Sequence, residues 1–352
     1  MWRGKDESMP RAAKRLAILF CLFAISPSSW AEESALREYR FKHPAMGCEF
    51  EFIIWSEPAM GETLRGYCDE AFVAIDALEA RVSNWQYHSI TSEIMRQAGI
   101  KPVSVDEDLM AMMDFSLQIY DETSGVFDPT VQPILSVWGK YSKGGPMPTP
   151  EQIQQALDLT GLKKVVIDKQ AGTIFLPKAG MGLDFGGIAK GLALDQAAEI
   201  LKAHGVGTAM LSAGSSSLLA IGAPPDSQGW TVTIAHPYNG RSVAVDTVYL
   251  RDQAMGSSSS REDQYLEIEG KRYSHIVDPR TGHPVEGVLS ATVIGPKGMQ
   301  CDALTKPFYI LGVDEARRYC REHTEYKAIL VVAADNNEAQ AVRVNFRPEE
   351  EH

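Results

Sequence analysis

Residues 184–191 read Asp184-Phe185-Gly186-Gly187-Ile188-Ala189-Lys190-Gly191 and join an apolar segment to a strongly helical pattern. Glycines at 186, 187 and 191 let the backbone come close to a ligand. The start of the following helix offers N–H groups and the positive end of a dipole. Lys190 adds a mobile cation, which the first turn of a helix disfavours unless an anion is present. The combination suits a phosphate or diphosphate. Asp184 either caps the helix or contacts a cofactor.

Two further stretches carry chemistry. In Ser274-His275-Ile276-Val277-Asp278-Pro279-Arg280-Thr281-Gly282-His283-Pro284, His275 ends a strand-like run and Pro279 fixes the turn after it. A histidine held beside a rigid corner can take a proton from a hydroxyl. The alternative is a histidine that braces the turn. In Cys301-Asp302-Ala303-Leu304-Thr305-Lys306, Asp302 stands at an expected helix start. With a backbone carbonyl and phosphate oxygens it could hold Mg²⁺, which rarely needs a full protein cage. The same carboxylate can act as a helix N-cap, and the two roles are compatible.

The elements that position these residues follow from periodicity. A strand is expected over 48–55, then a helix over 60–82 with Leu64, Cys68, Phe72, Ile75, Leu78 and Val82 on its inner face. A second helix over 106–120 turns Leu109, Met113, Ser116 and Tyr120 inward, with Leu117 beside them. A Gly/Pro/Ser-rich loop at 141–150 and a short helix at 151–157 come next. Strands at 165–168 and 173–176 flank a turn, and the helix over 188–203 ends at Gly205. Further strands are expected at 208–211, 217–221, 230–235, 242–250, 265–268, 273–277, 289–294, 329–333 and 339–344, with helices from about 301 and 314. Early helices and later mixed strands indicate an α+β class rather than an alternating Rossmann order.

The termini and composition bound the setting. Arg3, Lys5, Arg11, Lys14 and Arg15 precede an apolar core over 16–25, and Ser29 and Ala31 fit a cleavage site. Residues 1–31 therefore read as a signal peptide, too short to span a bilayer, and the mature domain as 32–347 with a charged tail at 348–352. Cleavage removes five basic and two acidic residues, taking the formal net charge from −12 to −15. So acidic a chain is a poor binder of nucleic acid. Cys48, Cys68, Cys301 and Cys320 remain; they form no close metal-binding pair, and either disulfides or buried thiols are compatible with export.

Taken in order, these stretches resemble the ApbE family, the exported FAD:protein FMN transferases. The matching pieces are Met46-Gly47, Ser83 and Ser89 six apart, Ser124-Gly125-Val126-Phe127-Asp128-Pro129-Thr130, Asp184–Gly191, His275–Pro284, Asp302-Ala303-Leu304 and Phe308-Tyr309-Ile310-Leu311-Gly312. The resemblance implies an α+β, T-fold-related body of two closely joined parts with the flavin nucleotide in a cleft between them. It implies that FAD is split at its diphosphate, that FMN is joined to a Thr or Ser hydroxyl, and that AMP leaves. The implied partner is an acceptor flavoprotein with an Asp-x-x-Ser/Thr-Gly-Ala-Thr-like motif, in a membrane redox complex.

Carried onto this sequence, the resemblance makes His275 the base. It puts Met46, Asp184, Gly186, Gly187, Ile188 and Lys190 at the nucleotide, with Tyr273 or an aromatic near residue 46 on the flavin ring. Mg²⁺ would be held by the Ala189 carbonyl, Asp302 and a hydroxyl four residues beyond it. That last position is Lys306, and Thr305 stands one residue early. Ala213-Gly214-Ser215 replaces the family's Gly-Gly-Asp, and Met95 replaces an asparagine. The Lys306 ammonium could hold the diphosphate directly, so the alternatives are a non-catalytic FAD-binding protein or an FAD diphosphatase.

Overall fold

The computed structural model describes residues 36–140, 146–236, 240–259, 265–268, 271–333 and 339–347. The expected signal peptide, the first half of the 141–150 loop and the charged tail lie outside these residues. Strands β1 (Arg37–Ala45), β2 (Cys48–Ser56), β3 (Ala209–Ala213), β4 (Ser217–Ile221), β5 (Ala254–Ser259), β6 (Val288–Gly295), β7 (Lys327–Ala333) and β8 (Ala339–Val344) lie side by side in chain order. Every neighbouring pair is antiparallel. The helices are α1 (Gly61–Val82), α2 (Ile90–Arg96), α3 (Glu107–Glu122), α4 (Gln132–Val137), α5 (Pro150–Asp158), α6 (Ala189–Ala203), α7 (Gly298–Leu311) and α8 (Val313–Glu322). Among the described residues no helix is long and apolar enough to cross a membrane.

Alternation along the strands divides the side chains between two faces. Phe50, Phe52 and Ile54 of β2 and Leu211 of β3 join the buried core beneath α1, α6 and α7. On the other face Met210, Met255, Ile294 and Ile329 meet Trp230, Ile234, Val248 and Leu250. These last four come from a hairpin, Trp230–His236 with Gly240–Leu250. A third apolar cluster joins Ile134, Leu135 and Trp138 to Ile153, Ile268 and Val277. It forms a smaller part beside the main body, and Trp138 Nε1 donates to the Gly282 carbonyl at 2.7 Å.

Several expectations shift. Helix α3 buries Met112, Phe115 and Ile119 as well as Leu109, Met113 and Ser116, while Tyr120 is only half-buried. It packs on more than one side, so a single stripe understates its core face. The described cysteines are all free thiols. Helix α7 starts at Gly298, so Asp302 lies one turn inside it and is not its N-cap.

The position of α7 follows from its crossing with α6. Gly191 and Gly298 face each other at the crossing: a Cβ on Gly191 would stand 2.1 Å from the Gly298 carbonyl oxygen. Each helix caps the other. Asp195 of α6 accepts from the N–H groups of Gly298 and Met299 at 2.7 and 3.0 Å. Asp302 of α7 accepts from the N–H of Gly191 at 2.8 Å. Orphan N–H groups at two helix starts are thus satisfied by side chains from the opposite helix.

Gly191→Ala should therefore destabilise the protein by roughly 2 kcal/mol or more in urea unfolding, because neither backbone can retreat. Gly207→Ala, where an added Cβ meets nothing within 4 Å, should change stability by less than about 0.5 kcal/mol. Equal effects at the two positions would remove the crossing from the account.

Candidate active site

An open cleft of about 1030 Å³, counted to its mouth, lies between the sheet-and-helix body and the smaller apolar cluster. It brings together residues far apart in sequence: Asp184, Gly186, Gly187, Lys190, His275, Asp302 and Lys306. Sequence reasoning had named all of these. Lys140, Ser216, Ser217, Ser257 and Ser258 also line the cleft, though none was expected at the site, and Phe127 of the 124–130 motif joins them.

Met46, Ile188, Ala189, Tyr273 and Thr305 are not among the lining residues. Met46 sits in the β1–β2 turn at φ 50°, its N–H donating to Glu79 at 2.8 Å. Ile188 and Ala189 are buried in the main core. Tyr273 packs against Trp138, ring centroids 5.6 Å apart, within the smaller cluster. Thr305 is wholly buried, donating to the Asp302 carbonyl at 2.7 Å and sharing a hydrogen bond with Ser258 at 2.8 Å.

The glycine turn is built differently from a simple anion nest. Gly186 N–H donates to Asp184 Oδ1 at 2.7 Å. The N–H groups of Ile188 and Ala189 both donate to the Phe185 carbonyl at 2.9 Å. These amides are engaged within the turn, and Gly191 N–H is engaged by Asp302. Asp184 caps no helix; it closes the turn and pairs with Lys140 at 2.6 Å. Its own N–H donates to the Pro129 carbonyl at 2.7 Å, tying in the 124–130 motif. Within that motif Asp128 accepts from Thr130 N–H at 2.7 Å and Leu162 N–H at 3.1 Å. Ser83 and Ser89 are loop-forming: Ser89 caps α2 and donates to the Ser83 carbonyl, and Asn84 donates to the Leu183 carbonyl at 3.2 Å. The loop thus supports the segment that leads into Asp184.

Charge concentrates around Asp302. Its oxygens accept from Ser217 Oγ at 2.9 Å and from Gly191 N–H. Burial pushes its carboxyl up to about 6, against the opposing pull of Lys306, Lys190 and the Ser217 hydrogen bond. Lys306 Nζ lies 3.0 Å from Thr305 Oγ1 and 3.4 Å from the Asp302 carbonyl oxygen. Burial lowers it to about 8, partly offset by Asp302. Lys190 donates to Ser216 Oγ. His275 stands between the strand pair at 265–274 and a corner made rigid by Asp278, whose carboxylate binds Arg280 Nη2 at 2.7 Å.

This donor set does not fit Mg²⁺, which demands near-octahedral oxygens at roughly 2.0–2.1 Å. The Lys306 ammonium stands beside the one carboxylate expected to hold the ion. The Thr305 hydroxyl is engaged with Ser258 and Asp302.

The ApbE family model matches residues 46–330, from β2 into β7, and takes in every segment that lines the cleft. This chain belongs to the ApbE family. It is 28% identical over 77% of its length to a Klebsiella pneumoniae protein described as FAD:protein FMN transferase, covering 77% of that protein. It is 26% identical to a Treponema pallidum protein of the same description, with 90% of each chain covered. Its fold matches the ApbE protein of Thermotoga maritima with a TM-score of 0.77 at 26% identity, over 90% of this chain and 100% of that one. The expected mixed α+β body is the fold of the family.

The raised Asp302 carboxyl predicts a pH effect. Its folded value lies above its ordinary 3.8, so its contribution to stability is full below that value and is lost as pH rises through about 6. Unfolding free energies of wild type and Asp302→Asn, compared from pH 4 to pH 7, should show wild type losing ground across this window. A constant difference would mean that Asp302 carries no such shift.

Proposed function

We propose that this protein transfers the FMN moiety of FAD to a threonine or serine hydroxyl of an acceptor flavoprotein. The observation that carries the reading is the cleft itself. A histidine at a rigid corner, the Asp184–Gly187 turn and two lysines around one carboxylate share one space within an ApbE-family fold.

The acceptor hydroxyl oxygen attacks the FMN-side phosphorus, and His275 takes its proton. A phosphoester to the acceptor forms, the bond from that phosphorus to the bridging oxygen breaks, and AMP leaves carrying that oxygen. The lysines offset the diphosphate charge in ground state and transition state alike. Ser217 holds Asp302 so that Lys190 and Lys306 keep their places. Lys140 holds Asp184, and with it the turn against which the phosphates rest.

The acceptor chemistry that suits this reading is a short segment presenting Thr or Ser, as in the Asp-x-x-Ser/Thr-Gly-Ala-Thr pattern. The basic, apolar and small-residue order at 1–31 supports export, with the partner in a membrane redox complex facing the same compartment.

Incubation with FAD and a peptide bearing that motif should add the mass of FMN to the peptide and release AMP. His275→Ala should slow labelling by roughly 10²–10⁴-fold while FAD still binds. Release of FMN and AMP without labelling would make the protein a diphosphatase, and binding with neither would make it a carrier. Intact-mass measurement of protein from the exported fraction should place the N-terminus near Glu32; an uncleaved chain there would refute the leader.

A further inference from the structure

Lys306 occupies a defined place in the cleft. It follows Asp302 by one helical turn on α7, and its Nζ is fixed by Thr305 Oγ1 and the Asp302 carbonyl. Its stem runs beside the glycine turn: a Cβ on Gly187 would stand 3.7 Å from Lys306 Cε. Lys190 approaches the same carboxylate from α6, one residue before the amide that Asp302 receives. One carboxylate is therefore flanked by two ammonium groups, beside the turn.

The neighbouring charges do not cancel this excess. Asp184 is matched by Lys140. Asp128 accepts from Thr130 and the Leu162 amide, and the cation that acts on its carboxylate is Lys164. Asp302 balances one of its two ammonium groups, which leaves about one positive charge for an anion. Most backbone donors of the turn are spent, since the amides of Gly186, Ile188, Ala189 and Gly191 are engaged. The charge that a diphosphate needs is on side chains.

We propose that the Lys306 ammonium takes the place of a divalent cation in this chain, so that Lys306 and Lys190 together hold the diphosphate and dinucleotide binding requires no divalent metal. The inference rests on the flavin reading given above and makes this chain differ from what its family resemblance implies. A tethered ammonium has no oxygen cage to satisfy. It places its donors by helix geometry and stays in the site at any metal concentration. It also polarises phosphorus less than a dication, so Lys306 is assigned to binding and positioning of the diphosphate, and proton transfer remains with His275.

FAD titrations followed by flavin fluorescence, in excess EDTA and in millimolar Mg²⁺, test this. Wild type should bind equally in both, within about twofold. Lys306→Thr should bind roughly tenfold or more weakly in EDTA and recover in Mg²⁺, and Lys306→Met should bind weakly in both, as expected for loss of a charge-assisted hydrogen bond. Wild-type affinity that rises tenfold or more on adding Mg²⁺ would overturn the inference and leave the flavin reading intact. Unchanged EDTA affinity in both variants would also overturn it. Absence of FAD binding under either condition would overturn the flavin reading and the inference with it. The wild-type comparison decides the matter even where a variant fails to fold.

Discussion

The reciprocal capping of α6 and α7 is the constraint on which the site depends. Two glycines allow the helices to cross at backbone contact, and two aspartates exchange caps across the crossing. Asp302 is thereby a structural carboxylate and a charged wall of the cleft at once. The sheet is fitted to the same joint. Gly256 of β5 lies so close to α7 that a Cβ would stand 2.8 Å from the Asp302 backbone nitrogen and Oδ1. Ser217 of β4 and Ser258 of β5 then reach Asp302 and Thr305. A buried carboxylate without such partners would carry a large desolvation cost. Here the hydrogen bonds that stabilise it also fix the two lysines beside it.

Much of this was legible in the residues. Amphipathic periodicity marked α1, α6 and most strands to within a residue or two, because their core faces are regular. The chemistry-bearing segments were legible because glycine, proline and charge cluster in them. What escaped detection had a physical reason. Strand β5 reads Ala-Met-Gly-Ser-Ser-Ser, poor in β-branched residues; on its α7 face the helix leaves no room for a side chain at Gly256, and Ser258 meets Thr305. Lys140 follows a short helix with no motif of its own, and only the fold brings it to Asp184. Thr305, expected at a metal, is engaged within its own helix and with Ser258. Asp302 was expected to cap a helix and does so, but the helix is α6.

The glycine turn shows how a familiar sequence can carry a different balance of forces. Its amides suggest an anion nest, yet those of Gly186, Ile188 and Ala189 close the turn around Asp184 and Phe185. Positive charge reaches the cleft through Lys140, Lys190 and Lys306. Those lysines are held by Asp184, Ser216 and the α7 backbone, so their places are set before any ligand arrives. The smaller apolar cluster contributes the opposite wall. Trp138, anchored on the Gly282 carbonyl, and the Asp278–Arg280 pair keep the corner that carries His275 from shifting.

A crystal structure with FAD bound, grown in excess EDTA, tests the central claim most directly. The account predicts a diphosphate against the Asp184–Gly187 turn, with phosphate oxygens on Lys306 Nζ and Lys190 Nζ and His275 facing the FMN-side phosphorus. A diphosphate seated away from both lysines, or FAD that enters the cleft only when a divalent ion binds Asp302, would contradict it.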